Sequence, residues 1–523
     1  MDESTHKVKP TEIGYNPAVD APRTVFLELT SHCNMHCEFC PSDILRREKG
    51  TLAASVADRF LDQLHALDMR PPILLNVLGE PLLNKAVFPL LDRLERDGHL
   101  VTLITNMTLL TDPQVRRELL RHSNLTLALS LQTATSEAYR MRGYPRMPFD
   151  EFFGLVFEVI EDKFRLASGT RLEIHIASSY VVAHDPTIQS DIPLRLWPNF
   201  ADEKAERRWI RKTLRRLEAF GRRMRRTYPE AYAGEKSRIE SLYKDQIGTK
   251  IAVSRKALPA DFHRLKDEVF WGYMVMPHTL LVFKSFELWT RDEAFLRRAL
   301  PPGTVFYVEE NPGPWACPMT ESFGLLADGT YVLCCLDYEG EMHLGGIAST
   351  PIADFLGGER RAALRADAMI EPVCRRCKGN LFVFDAAPLL GTEQKVDKLG
   401  RGWWPHESAL HGRGGSWTKG EAWAYALARI PAKALRLRFL STFPDDTAFK
   451  LEIRTYDEQA IAFGLGPVFE FRGRKGLAVE FRAAFDFQPG RLYRIDLLSP
   501  TFAPGVGDPR RLGLAVYEIS LLA

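Results

Sequence analysis

From Thr24 to about Ser179, short apolar runs alternate with amphipathic stretches, and this rhythm limits the fold more than any other feature of the chain. The strand-like runs are Val25–Leu29, Ile73–Val77, Leu100–Thr105, Leu125–Leu131 and Leu172–Ser178. Between them, residues 52–68, 85–97, 112–121 and 149–164 carry apolar side chains at helical spacing. A strand, a crossing helix and a second strand build a parallel pair, so the repeat predicts a parallel sheet lined by helices. Directly after the first strand the chain reads His32-Cys33-Asn34-Met35-His36-Cys37-Glu38-Phe39-Cys40-Pro41, a C-x3-C-x2-C spacing. Three thiolates on one loop can hold three irons of a 4Fe–4S cubane and leave the fourth iron open to a small molecule. Zinc, with His32 and His36 beside the thiolates, is the competing occupant.

The cysteine spacing, with aromatic Phe39 just before the last cysteine, resembles the radical S-adenosylmethionine (SAM) enzymes. That resemblance implies a partial (β/α)6 barrel in which the open iron chelates the amino and carboxylate groups of SAM. Downstream motifs fall in the matching order. Leu78-Gly79-Glu80-Pro81 follows the second strand and resembles the family's glycine–glutamate contact to the SAM amino group, with Leu78 where many members have glycine. The third strand ends in Thr105-Asn106-Met107, and Asn106 is a cofactor-binding candidate. Ser130 and Gln132, two apart on the fourth strand, face the same way and resemble the ribose contact. In Tyr139-Arg140-Met141-Arg142-Gly143, Arg142 is the candidate for the SAM carboxylate, with Arg140 as its competitor. His175, Tyr180, His184 and Glu173 are all candidates to face the barrel mouth as acid or base.

Five more cysteines, Cys317, Cys334, Cys335, Cys374 and Cys377, lie between Asn311 and Asn380. Four thiolates complete a tetrahedral site or a cubane. Their order, through Asp328-Gly329, Cys334-Cys335, Gly345-Gly346-Ile347 and Cys374-Arg375-Arg376-Cys377, resembles the cluster-binding extensions called SPASM and twitch. One auxiliary 4Fe–4S cluster is implied, with either Cys334 or Cys335 as ligand and Cys334 preferred by resemblance. Structural zinc is again the alternative. The spare thiol reads either as a hydrogen-atom donor or as a buried small side chain.

Length and composition set the frame for these motifs. At 523 residues the chain exceeds one core, and 45% apolar with 26% charged residues is ordinary for a globular protein. A net charge of +2 implies no global attraction to nucleic acid or membrane. No signal peptide and no run near the roughly 18 apolar residues of a membrane span is present. Eight cysteines read as thiolate ligands need a reducing compartment, so a cytoplasmic location is expected.

The fold class expected is α/β. It comprises a tail at 1–22, a radical SAM partial barrel at 23–310, a small α+β twitch-like cluster domain at 311–395 and an all-β sandwich at 402–523. A basic helical insertion at about 185–276 interrupts the barrel. In it Ile210, Leu214, Leu217, Phe220 or Gly221, and Met224 form one apolar stripe among many arginines. The arginines read either as a solvated face or as a clamp for a phosphorylated or polyanionic substrate. In the last region Gly402-Trp403-Trp404-Pro405-His406-Glu407, Trp417, Trp423 and the run Asp508-Pro509-Arg510-Arg511-Leu512-Gly513-Leu514 resemble a sandwich module attached to glycan enzymes. Its tryptophans read either as core residues or as sugar platforms.

Together the resemblances imply reductive cleavage of SAM to a 5′-deoxyadenosyl radical, with flavodoxin or ferredoxin as reductant, and hydrogen abstraction from a small-molecule or glycan substrate. Oxidation or epimerisation of a sugar, aminocyclitol or nucleotide-sugar is the leading expectation. Maturation of a ribosomally made peptide and a non-catalytic metal-stapled binding protein are the alternatives. Against the peptide, about 22 residues before the first strand are too few for a recognition domain.

Overall fold

The computed structural model describes residues 22–177, 187–192, 194, 196–236, 249–252, 270–284, 288–311, 313–408, 414–445, 447–458, 462–504 and 508–523. These divide into two compact units. One lies within Met1–Asp185, Leu194–Leu300 and Glu310–Gly379, the other within Pro186–Pro193, Pro301–Glu309 and Asn380–Ala523.

In the first unit, β1 (Val25–Leu27), β2 (Ile73–Leu74), β3 (Val101–Thr105), β4 (Leu125–Gln132) and β5 (Arg171–Ala177) alternate with helices Ala54–Ala66, Val87–Arg96, Pro113–Leu120 and Phe149–Arg165. After β6 (Ile188–Ser190), β7 (Thr249–Ala252) and β8 (Phe270–Met276) comes β9 (Thr279–Lys284), the sixth parallel strand. Strands β1 to β5 and then β9 lie side by side in sequence order. This is the expected partial (β/α)6 barrel. Val25, Leu27, Leu103, Leu127, Leu129, Leu172 and Ile174 turn one strand face onto helix residues Phe60, Leu61, Leu91, Phe152 and Val156. The alternate residues therefore face the barrel interior.

The insertion holds the long helix Glu203–Thr227, started by Asp202, whose carboxylate accepts from Ala205 N at 2.7 Å. Ile210, Leu214, Leu217, Gly221 and Met224 are buried, so the expected stripe is the packed face. Trp209 and Phe220 meet Phe153 and Phe157 of helix Phe149–Arg165. The insertion is not purely helical, however. The β-prone run Phe270–Met276 pairs antiparallel with β9, and β7 extends that edge.

After β10 (Val305–Glu309), β11 (Phe323–Leu325) adds parallel to β1 on the other edge and turns back through Asp328-Gly329 into β12 (Tyr331–Val332). Short helices Ile352–Leu356, Glu359–Ala366 and Pro372–Cys377 follow.

In the second unit, β13 (Asn380–Phe384) lies between β10 and β6 in a three-stranded sheet. The sandwich comprises β14 (Glu393–Lys395), β15 (Lys398–Leu399), β16 (Ser416–Trp417), β17 (Glu421–Leu427), β18 (Ala432–Leu440), β19 (Ala448–Asp457), β20 (Ala462–Phe463), β21 (Val468–Arg472), β22 (Ala478–Phe487), β23 (Leu492–Leu498) and β24 (Ala515–Leu522). Its two sheets run β14-β24-β18-β22, with β16 on β24, and β15-β17-β23-β19-β20, with β21 on β19. Leu435, Leu437, Phe439, Leu451, Ile453, Ile495, Leu497 and Leu521 form the core between them. Among the described residues no helix is long and apolar enough to cross a membrane.

Candidate cluster and cofactor site

The loop after β1 carries Cys33, Cys37 and Cys40 as free, half-buried thiols. It is pinned from several directions. His36 N donates to Arg142 O at 3.2 Å and Glu38 N to Met141 O at 2.9 Å. Arg298 Nη2 donates to Cys37 O at 3.1 Å, and Trp289 Nε1 to Phe39 O at 3.1 Å. Asn106 Nδ2 lies 3.6 Å from Cys33 Sγ and donates to Asn34 Oδ1 at 2.7 Å. Burial pushes all three thiols up, Cys40 to about 12, with Cys33 adding to the rise of Cys37, and Cys37 and Cys33 to that of Cys40. Such a pocket favours neutral thiols, and metal cations bound there would offset the cost of forming the thiolates. Trp289 and Arg298 belong to no motif, and only the tertiary structure brings them here.

At the end of β2 the chain turns sharply. Gly79 has φ +77°, and a Cβ there would lie 2.1 Å from Thr30 O. The turn aims buried Glu80 at the end of β3. Its carboxylate accepts from Thr105 Oγ1 at 2.8 Å, Asn106 N at 2.6 Å and Leu82 N at 3.2 Å. Burial outweighs these bonds and pushes Glu80 up to about 7. A carboxylate offers about four acceptor positions, so one is left for a ligand ammonium. Pro81 opens the following helical turn and is buried. Beneath, fully buried Glu28 pairs with Arg47 at 2.7 Å and accepts from Leu78 N and Ala327 N, tying β1 to the turns after β2 and β11.

Arg142 is 2% exposed. Its Nη1 donates to Ser130 O at 2.9 Å, while Nε and Nη2 face Met35 Sδ at 3.4 and 3.1 Å. Phe39 and Phe152 flank the guanidinium at 5.9 and 5.8 Å. None of the described acidic side chains pairs with it; Glu80 and the Cys37 thiol feel it only through space. A buried cation without a paired anion is costly, and an anionic group placed beside it would offset that cost. Arg140, the competitor, is exposed. Ser130 and Gln132 are brought together, with Gln132 Nε2 donating to Ser130 Oγ at 3.2 Å.

Buried Asn199 was not legible in sequence. Its amide donates to Gln132 O and to Ala177 O, both at 2.8 Å, and joins the ends of β4 and β5. On the inward face of β5, His175 Nε2 and Glu173 Oε2 meet at 2.8 Å. Burial first, then the Lys284 charge, hold the imidazole pKa down. Tyr180, His184 and Ser178 lie outside the described residues.

The thiols of the second cysteine group also act on one another electrostatically. The Cys374 thiol is raised by burial and then by Cys377, Cys334 and Cys317. Burial and Cys334 push Cys377 up to about 11. Cys335 contacts Cys334 but packs on the apolar cluster of Phe26, Val77, Leu78 and Tyr338, against which Cys40 also packs. Thiols from three separate segments, Cys317, Cys334 and the Cys374/Cys377 pair, thus feel one another's charge, although among the described residues no three side chains stand in a ready metal-binding arrangement.

In the sandwich the tryptophans serve the fold. Trp417 is buried, Trp403 Nε1 donates to Trp423 O, and Trp423 Nε1 donates to Glu309. Trp404 is covered by Lys419 Nζ at 4.4 Å.

A family model described as the radical SAM superfamily matches residues 27–166, and one described as an iron–sulfur cluster-binding domain, SPASM, matches 317–378. The AdoMet-dependent heme synthase of Methanosarcina barkeri is 33% identical over 128 residues, 24% of this chain and 36% of that protein. The tungsten-containing aldehyde ferredoxin oxidoreductase cofactor-modifying protein of Pyrococcus furiosus is 27% identical over 92 residues, 18% of this chain and 26% of that protein. The matches thus span about a third or less of the length of these curated relatives. Similar solved structures include Streptococcus suis SuiB bound to precursor peptide SuiA (TM-score 0.37, 11% identity, 66% of this chain and 67% of that one). BtrN in complex with AdoMet and 2-DOIA has TM-score 0.31 and 12% identity, covering 68% and 92%. The C-terminal CBM6 of LamC from Zobellia galactanivorans has TM-score 0.18 and 11% identity, covering 25% and 99%. The chain carries a radical SAM domain followed by a SPASM domain, and with them the implied SAM-binding 4Fe–4S cluster, SAM itself and auxiliary iron–sulfur binding.

Proposed function

We propose that this radical SAM enzyme uses Cys33, Cys37 and Cys40 as the three ligands of the SAM-binding cluster and oxidises or epimerises a sugar, aminocyclitol or nucleotide-sugar. The observation that carries the site is Arg142, a buried guanidinium with no acidic partner among the described residues, beside the three-thiol loop. When bound and reduced by flavodoxin or ferredoxin, the cluster supplies homolytic cleavage of the SAM carbon–sulfur bond and hence hydrogen abstraction from a C–H bond.

The protein groups do the orienting. Arg142 takes the SAM carboxylate by charge-assisted hydrogen bonds. Glu80 accepts from the ammonium through the acceptor position its three internal bonds leave open. Ser130 and Gln132 exchange their mutual bond for the ribose diol, and Asn106 holds the cluster loop through Cys33 and Asn34. Phe39 closes the cluster loop against Trp197, their rings 6.3 Å apart. Cys317, Cys334, Cys374 and Cys377 hold one auxiliary cluster, and Cys335 is the spare thiol. A single auxiliary cluster, with no further thiols among the described residues, supports the small-molecule reading.

The test is anaerobic reconstitution, reduction and addition of SAM, followed by assay for 5′-deoxyadenosine. Its absence from protein with full iron content would return the chain to a metal-stapled scaffold. A panel of nucleotide-sugars, aminocyclitols and peptides then separates substrate classes. Stimulation of cleavage by peptides alone would replace the sugar reading with peptide maturation.

A further inference from the structure

The basic helix Glu203–Thr227 packs its buried stripe on the outer helix layer, against Phe149–Arg165, which turns its opposite, exposed face away from the barrel. Its exposed face is therefore poorly placed to clamp a substrate in the barrel, and its charge needs another account. The helix holds eleven Lys or Arg and three Glu, a net of +8 in a chain whose total is +2. The rest of the chain is thus net −6, and the positive charge is segregated on one element.

Lys204, Arg208, Arg211, Arg215, Arg222 and Arg226 recur at steps of three, four or seven, all exposed, opposite the buried stripe. At a rise of 1.5 Å per residue the row is about 33 Å long. None of the six pairs with an acidic side chain among the described residues. The three glutamates do not neutralise the row: Glu203 pairs with Arg207, Glu206 is buried, and Glu218 accepts from Tyr273 OH at 2.9 Å. Arg223, on the flank, is the one bonded to Glu161.

We propose that this row docks the protein onto an anionic lipid bilayer. The row runs along one face of a single helix held along its opposite face, and a plane can meet cations spread along such a face. Duplex phosphates wind around a cylinder and would meet such a row only locally. The exposed face offers no Asn, Gln or aromatic side chain to read or stack bases, since Trp209 and Phe220 point into the protein. The same inward aromatics mean that attachment is electrostatic, without insertion into the bilayer.

The test is vesicle flotation of the full chain with phosphatidylcholine alone, and with roughly one-third phosphatidylglycerol, at about 50 mM and about 0.5 M salt. Binding should appear only with the anionic vesicles and be lost at the higher salt. The variant R208Q/R211Q/R215Q/R222Q should bind them roughly a thousandfold more weakly. A control, R474Q/K475Q, removes exposed charge from the sandwich and should bind like wild type. Replacing the same four arginines by lysine should preserve binding, and this arm carries the test if the glutamine variant unfolds early. Wild-type protein that ignores anionic vesicles, or a glutamine variant that binds them unchanged, overturns the proposal. So does tighter binding to duplex RNA than to vesicles at equal salt, which would make the row a nucleic-acid surface.

Discussion

Replacing Arg142 by Met separates the two things a buried arginine can do. Methionine keeps most of the volume and removes the charge. In the protein without SAM, the guanidinium has one neutral carbonyl, Ser130 O, and the Met35 sulfur as partners. Its removal forfeits one good hydrogen bond, worth about 1 kcal/mol, and relieves an unpaired buried charge whose penalty is of similar size or larger. Chemical unfolding of the cluster-free variant should therefore differ from wild type by no more than about 1 kcal/mol, with either sign. SAM binding responds very differently. Leaving the ligand carboxylate buried without its partner costs about 3–5 kcal/mol, a loss of affinity from roughly a hundredfold to several thousandfold. Urea titration and equilibrium dialysis with SAM on the anaerobically reconstituted protein measure the two. A stability loss above about 3 kcal/mol would make Arg142 a structural brace. SAM affinity essentially unchanged would remove it from the cofactor site altogether.

Three further outcomes are expected. C334S should lose the auxiliary iron while C335S keeps it, read as iron and sulfide content of purified protein; equal loss in both would show that the pair shares the ligand role. G79A should abolish soluble protein or collapse its thermal stability, because the new Cβ would sit 2.1 Å from Thr30 O. G98A, also at positive φ but with open space around it, should cost only about 1–2 kcal/mol; similar losses in both would refute the clash. In the sandwich, burial pushes Asp397 up to about 6 despite its contact with Arg429. Because the folded-state pKa lies above the unfolded value of about 3.9, the native state binds the extra proton between those values, and stability is lost as pH rises through the folded pKa. The stability of wild type relative to D397N should therefore fall by about 2–3 kcal/mol between pH 4 and pH 7, and a difference flat in pH would refute the reasoning.

Much of the barrel was legible because its signals are local. The five strand runs and four helices lie within a few residues of their expected places, since each is written as a period of two or of nearly four along its own segment. The insertion was harder. Its helix showed as an apolar stripe, but Phe270–Met276 became a strand by pairing with β9, a partnership that a local pattern does not record. The same holds in the site. Cysteine spacing pointed to a cluster loop, whereas Trp289, Arg298 and Asn199 are single residues with no motif around them. They reach the loop and strand ends from distant segments.

Sequence alone determined that three thiols share one tight loop after a strand, because four and three residues of separation cannot place them far apart. It also determined that helix Glu203–Thr227 has one apolar face, because that depends only on helical period. Tertiary structure decided which arginine is buried without an acidic partner, and that the cationic row lies on the outer layer, on the side of its helix opposite the packed stripe. Burial and charge pairing depend on what the rest of the chain brings alongside, and no stretch of sequence contains its own surroundings.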